Sequence, residues 1–180
     1  DRPLWTSLGD QTEAALRVLA LKGGLNEAQL DERYPRIHEL PFEARRKRMS
    51  TIHRNSAGEV AFVKGAPKEV LQLCTRILIN GEVRDLDEAT RAAILAANDA
   101  DARHALRVLA LARRELPPRS GTYTPERVER DLTFIGLASM MDPPRPDVAA
   151  AVKVCKQAGI RLVMITGDYG LTAESVARRI

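Results

Sequence analysis

Aromatic side chains make up only 4% of this 180-residue chain, so it lacks the interleaved rings that commonly grip single-stranded nucleic acid. No apolar run reaches the roughly 18 residues that a membrane-spanning helix requires, so the chain does not itself span a membrane. The first ten residues, DRPLWTSLGD, have neither the basic start nor the apolar middle of a signal peptide. Cysteine is scarce as well. Cys74 and Cys155 stand 81 residues apart without His or Cys companions, which argues against a zinc site and for a reducing compartment, with both thiols as small core residues. No metal-ligand set, internal repeat or low-complexity tract is visible.

What is present is an apolar fraction of 44%, enough for the core of one ordinary domain, or of a small domain with a further fragment. Net charge is +4, and residues 36–64 hold seven Arg and Lys against three Glu, an excess equal to that of the whole chain. A basic excess confined to one stretch points to a site rather than to a uniformly basic surface. Within it, Pro41 to Pro67 reads as a hairpin: a strand from Lys47 to His53, the turn Asn55-Ser56-Ala57-Gly58, and a strand from Val60 to Lys64. The stretch carries the ring of Phe42, five cationic side chains within fourteen residues and a Lys64-Gly65-Ala66-Pro67 exit. That combination suits an aromatic, polyanionic ligand.

The surrounding pattern places the other elements. Asp10 and Glu13 open a helix over residues 11–22 that Lys22-Gly23-Gly24 stops, and Asn26 caps a short helix ending near Tyr34-Pro35. Pro67 starts a helix through Val70, Leu71 and Cys74; Arg76 to Val83 forms a second hairpin around Asn80-Gly81; Asp87 caps a helix to Asp101. Leu106 to Ala112 reads as a strand and residues 116–125 as a loop. From Leu132 the pattern changes: a strand to Leu137, the rigid connector Asp142-Pro143-Pro144-Arg145-Pro146, a helix bearing Val148, Val152 and Cys155 that Gly159 ends, and an apolar strand from Ile160 to Ile165. This succession predicts a parallel α/β portion beginning near residue 132.

Several side chains have two readings. Phe42 is either a core ring opening a strand or a ring stacked on a base, with Lys47 and Lys64 supplying charge to phosphates. Gly65 allows a ligand to approach the backbone, and Pro67 stiffens the exit. Arg45, Arg46 and Arg48 form either a solvated basic edge or ligand contacts. Glu13 is a helix-capping carboxylate or a ligand group. Thr166-Gly167-Asp168, at the carboxyl end of the expected parallel strand, stands where α/β sheets bind ligands and favours phosphate recognition.

Taken in order, Gly9-Asp10-Gln11-Thr12-Glu13-Ala14-Ala15-Leu16, Pro41-Phe42 through Arg46-Lys47-Arg48-Met49-Ser50, Lys64-Gly65-Ala66-Pro67, Leu106-Arg107-Val108-Leu109-Ala110, Met141-Asp142-Pro143-Pro144-Arg145 and Met164-Ile165-Thr166-Gly167-Asp168 resemble the cytoplasmic part of P-type cation-transporting ATPases, nearest the calcium-pump and sodium-pump branch. The resemblance implies an α+β fold. Residues 1–130 would be a nucleotide-binding domain, an antiparallel sheet flanked by helices, and residues 131–180 part of a phosphorylation domain similar to haloacid-dehalogenase folds. It also implies that Glu13 meets the adenine edge, Phe42 stacks on adenine, Lys47, Lys64 and Gly65 line the ATP pocket, and Arg107 reaches toward the phosphates. Asp142, Thr166, Gly167 and Asp168 would belong to the phosphoryl-transfer side. ATP and Mg2+ are the implied cofactors. The implied partners are the remaining phosphorylation, actuator and transmembrane domains of a pump, at the cytoplasmic face of a membrane.

Departures qualify the match. Lys68 stands where the family commonly has Glu, with Glu69 one place later, and Ala44 replaces a cationic or polar residue two places after Phe42. Each weakens ligand binding only modestly. The family's Asp-Lys-Thr-Gly-Thr segment, whose Asp is phosphorylated, and its later Gly-Asp-Gly segment are both missing from the sequence. The expectation is therefore an excised piece of a longer pump that binds ATP without forming the aspartyl-phosphate. A free-standing regulatory nucleotide-binding module and a basic nucleic-acid-binding protein are the competing readings.

Overall fold

The computed structural model describes residues 9–104, 106–117, 121–141, 144–165 and 170–180. Its elements run α1 (Gln11–Lys22), α2 (Glu27–Arg33), β1 (Arg36–Glu43), β2 (Arg48–Asn55), β3 (Gly58–Gly65), α3 (Pro67–Leu71), β4 (Cys74–Ile79) and β5 (Glu82–Asp85). There follow α4 (Glu88–Arg103), β6 (Arg107–Leu116), α5 (Pro125–Val128), β7 (Leu132–Met140), α6 (Val148–Gln157) and α7 (Gly170–Ala177). Contacts group into two compact units, Asp1–Asp87 with Leu109–Ala138 and Glu88–Val108 with Ser139–Ile180.

Local chemistry explains most element ends. The Asp10 carboxylate caps α1 by accepting from the Thr12 and Glu13 amides at 2.8 and 3.1 Å. The helix closes with Gly24 at φ +75°, where the Gly24 and Leu25 amides donate to Leu21 and Ala20, the paired bonds of a Schellman ending. Gly159 (φ +73°) ends α6 by the same device, its amide and that of Ile160 donating to Lys156 and Cys155. Asn80 and Gly81 both have positive φ, as a two-residue hairpin turn between β4 and β5 demands. The helix begun by Pro67 is shorter than the sequence suggests. It stops at Leu71, and Cys74 opens β4 instead, its buried thiol donating to the Val70 carbonyl at 3.3 Å.

The first unit is a mixed α+β arrangement around a seven-stranded sheet of order β1-β2-β3-β6-β7-β4-β5. β1, β2, β3 and β6 form a continuous antiparallel ladder, β4 and β5 an antiparallel hairpin, and β4 pairs with β7 in parallel. β7 follows residue 130, yet it is a strand of this same sheet. Alternation along the strands gives the sheet two unlike faces. Ser50, Ile52, Ala61, Val63 and Ala112 point to one side and are at most 2% exposed. There Leu40, Ile52, Ala61, Leu116 and Val128 form a core, with Ile37 and Tyr123 packed against it. Met49, Thr51, Phe62, Lys64 and Leu111 occupy the other face and are only partly buried.

In the second unit, α4 packs with α7, and the Ser139 hydroxyl donates to Asp101 of α4. The apolar run Ile160 to Ile165 is not a strand. Val163 is 76% and Ile165 94% exposed, and among the described residues no segment pairs with the run. A parallel strand needs hydrogen-bonding neighbours and cover on both faces, and apolar composition alone supplies neither. None of the described helices is long and apolar enough to cross a membrane.

Among the described glycines, Gly65 is the most closely packed. A Cβ there would lie 2.4 Å from the Arg48 Cβ and 2.5 Å from the Lys47 carbonyl oxygen, so the neighbour that demands glycine is the protein's own backbone. Gly65→Ala is expected to lower unfolding free energy by about 1–3 kcal/mol in chemical denaturation; an unchanged midpoint and slope would contradict this close packing.

Candidate functional site

A pocket of about 280 Å³ opens on the less covered face of the sheet. Its apolar lining comes from Met49 of β2, Phe62 and Val63 of β3, Leu111 and Ala112 of β6 and Ile135 of β7, and its charged lining from Lys64, Arg36 and Glu13 of α1. The volume lies just below the range of about 300–1,000 Å³ usual for small-molecule sites. Glu13 does more than begin a helix. Its carboxylate forms an ion pair with Lys64, 51 residues away, so the first turn of α1 and the end of β3 meet at the pocket.

Phe42 lies near the end of β1, and Lys47 lies in the turn that joins β1 to β2. Phe42 is 63% exposed, which rules out the core reading of this ring. Lys47 adopts φ +52°, its amide donates to the Glu43 carbonyl at 2.7 Å, and its carbonyl accepts from the Ala66 amide at 2.9 Å. Its ammonium donates to the Glu69 carboxylate at 2.6 Å. The displaced acid that follows Lys68 therefore has a definite partner.

Arg46 and Arg48 are not a solvated edge. Both converge on Glu129, whose side chain has no exposed surface. Arg46 Nη1 and the Ser50 hydroxyl donate to Oε1 at 2.5 and 2.7 Å, and Arg48 Nε donates to Oε2 at 2.6 Å. Arg46 Nε also donates to Glu43 at 2.7 Å, so two cations face two carboxylates. Burial opposes the Arg46 charge, but the bonds to Glu129 and Glu43 outweigh it and raise its pKa above the ordinary value. The partner of this basic cluster lies about eighty residues away in sequence, and spacing gave no sign of it.

The expected site residues therefore fall into separate groups. Glu13 and Lys64 meet in the pocket lining, whereas Phe42 at the end of β1, Lys47 in the turn after it and Gly65, which packs against β2, are not among the residues that line it. Arg107 is the exposed first residue of β6 and falls in the other compact unit. Asp142, Thr166, Gly167 and Asp168 lie outside the described residues. Among the described residues, no three His, Cys, Asp or Glu side chains cluster to hold a metal ion, and no magnesium site is assigned to them. Arg36, Thr51 and Phe62 also line the pocket and were not foreseen. Counting by twos from Lys64 and from Met49 places Phe62 and Thr51 on its face, a signal the hairpin already contained.

A mixed α+β domain with a small, charge-rimmed pocket on the open face of its sheet is the class these observations define. The model for the P-type ATPase cytoplasmic domain N matches residues 1–147, and the chain belongs to that family. Calcium-transporting ATPase 1 of Bacillus cereus is 42% identical over 172 residues, covering 96% of this chain and 19% of that protein. Cation-transporting ATPase pma1 of Synechocystis is 38% identical, with 98% and 19% covered. Probable cation-transporting ATPase F of Mycobacterium tuberculosis is 37% identical, with 100% and 20% covered. The chain spans about a fifth of the length of these relatives.

The Lys47 hydrogen bond lowers the Glu69 pKa, against an opposing effect of burial. A carboxyl with a lowered folded pKa contributes stability present above its unfolded pKa, near 4.5, and lost as pH falls through the folded value. Thermal melts between about pH 6 and pH 3 should therefore show a smaller acid-induced drop for Glu69→Gln than for the unchanged chain. Identical profiles would contradict the pairing.

Proposed function

We propose that this chain is the ATP-binding part of a cation pump that couples ATP hydrolysis, through an aspartyl-phosphate, to ion transport. The observation that carries the reading is the pocket in which Glu13 and Lys64 meet beside an apolar lining. A purine needs flat apolar surface and a polar edge contact, and phosphates need fixed cations. In this reading Glu13 meets the adenine edge and Lys64 lines the pocket, while Phe42, which stacks on adenine, and Lys47 and Gly65 extend the ATP site beyond that pocket, and Arg107 serves the phosphates. Residues 1–130 carry the nucleotide function. β7 completes the sheet of that part, and the residues after it belong with the phosphoryl-transfer part, where Asp142, Thr166, Gly167 and Asp168 act together with Mg2+ and with the remaining phosphorylation, actuator and transmembrane domains at the cytoplasmic face of a membrane.

The family relationship supports this assignment over nucleic-acid binding, as does the pairing of Arg46 and Arg48 with Glu129, which withdraws two cations from the basic stretch. The Asp-Lys-Thr-Gly-Thr segment is missing from the sequence, so the chain binds ATP without accepting its phosphoryl group.

Phe42→Ala is expected to weaken ATP binding by about 1–3 kcal/mol in titration calorimetry; equal binding would remove the ring from the site. Incubation with γ-labelled ATP is expected to leave the chain unlabelled, and an acid-stable phosphoprotein would contradict that expectation.

A further inference from the structure

One guanidinium holds both sides of Phe42. Arg46 Nη2 donates to the Pro41 carbonyl at 2.8 Å and Arg46 Nε to the Glu43 carboxylate at 2.7 Å, so the bonds bracket the ring-bearing residue. The third arm, Nη1, donates to Glu129. Glu129 is in turn fixed by Arg48 and Ser50 of β2, and Arg48 Nη1 returns to the Arg46 carbonyl at 3.0 Å. The backbone is tied in the same place: the amides of Arg46 and Lys47 both donate to the Glu43 carbonyl, at 3.0 and 2.7 Å.

This bracing stands where the sheet provides little. The register between β1 and β2 shifts between Leu40 and Glu43, so the regular ladder does not fix the backbone at Phe42. With 63% of its surface exposed, the ring also lacks most of the packing that orients a core aromatic. A ring free to sample many directions would have to be ordered at each binding event, at a cost in affinity. A planar fork that reaches three acceptors at fixed angles removes that freedom, which a lysine ammonium on a flexible stem does less well.

We propose that Glu129 is a positioning residue for the nucleotide site: through Arg46 it fixes the segment from Pro41 at the end of β1 to Lys47 and so sets the direction in which Phe42 presents its face to the base. The inference rests on the ATP reading above and deepens it, because it names a buried residue that touches no ligand as a determinant of nucleotide affinity. Glu129 belongs to the packed side of the sheet with Ser50, and Phe42 is the exposed end of the linkage.

The test is a double-mutant cycle on the full 180-residue chain. ATP dissociation constants are measured for the unchanged chain, Glu129→Gln, Arg46→Lys and Phe42→Ala, and for the two double variants with Phe42→Ala. Thermal melts accompany each, and binding is measured at least 20 °C below the midpoint. Arg46→Lys keeps a cation opposite Glu129 and loses the fork, so it decides the matter if Glu129→Gln does not fold. With Phe42 present, both variants should raise the ATP dissociation constant about three- to tenfold, the coupling expected of residues in one linked network. In the Phe42→Ala background the same changes should have less than about a twofold effect. Folded variants that bind ATP as the unchanged chain does would overturn the positioning role. So would losses of equal size with and without Phe42, which mark a merely structural defect. If Phe42→Ala alone leaves ATP binding unchanged, the placement of adenine on Phe42 fails, and the inference falls with it.

Discussion

Glu129 is a carboxylate with no exposed side-chain surface that accepts hydrogen bonds from two guanidinium groups and a hydroxyl, and it fastens β2 and the turn before it to the end of α5. An isolated buried charge is strongly unfavourable, so such a group is retained only where partners and hydrogen bonds compensate its desolvation. Here the partners come from β2 and from the turn before it, while the acid follows α5, so the linkage closes a loop of some eighty residues. Breaking a buried pair by removing one member commonly costs about 3–5 kcal/mol, because the other member is left uncompensated. The same linkage makes Arg46 and Arg48 of the basic stretch a structural device.

The two sides are kept apart by the strand period. Ser50, Ile52, Ala61 and Val63 point into the core, and Met49, Thr51, Phe62 and Lys64 point toward the pocket. A single-residue slip between β2 and β3 would exchange the two sets and destroy both core and site. Register is held at the ends of the hairpin. The Asn55 side chain accepts from the Ala57 and Gly58 amides at 2.8 and 2.9 Å, and Gly65 lets the other end close against Lys47 and Arg48. The glycine and the asparagine thereby protect the alignment on which the nucleotide reading depends.

Local chemistry was largely legible in the sequence. The span of α1, the Asn26 cap, the Asn80-Gly81 turn and the Gly159 helix ending depend on residues a few positions apart, and the structure has them where expected. Long-range pairing was not legible. The partnership of Glu129 with Arg46 and Arg48 and the ion pair of Glu13 with Lys64 depend on topology, which no spacing rule reveals. The Ile160 to Ile165 run failed for a related reason, since its composition describes a buried strand but not a neighbour to bury it. Cys155 is likewise only partly buried, whereas Cys74 is a core thiol as expected. The ordered motifs showed the family that the match over residues 1–147 bears out, because each is a short local signature.

The central claim is that ATP binds on the open face of the sheet, between α1 and the end of β1 that carries Phe42. Backbone amide resonances of the isotopically labelled chain, followed while ATP is added, test it most directly. The account predicts progressive shifts at Phe42, Lys47 and Lys64, with Met49 and Phe62 of the pocket lining moving alongside them. Shifts confined to another surface, with Phe42, Lys47 and Lys64 unmoved at saturation, would contradict it.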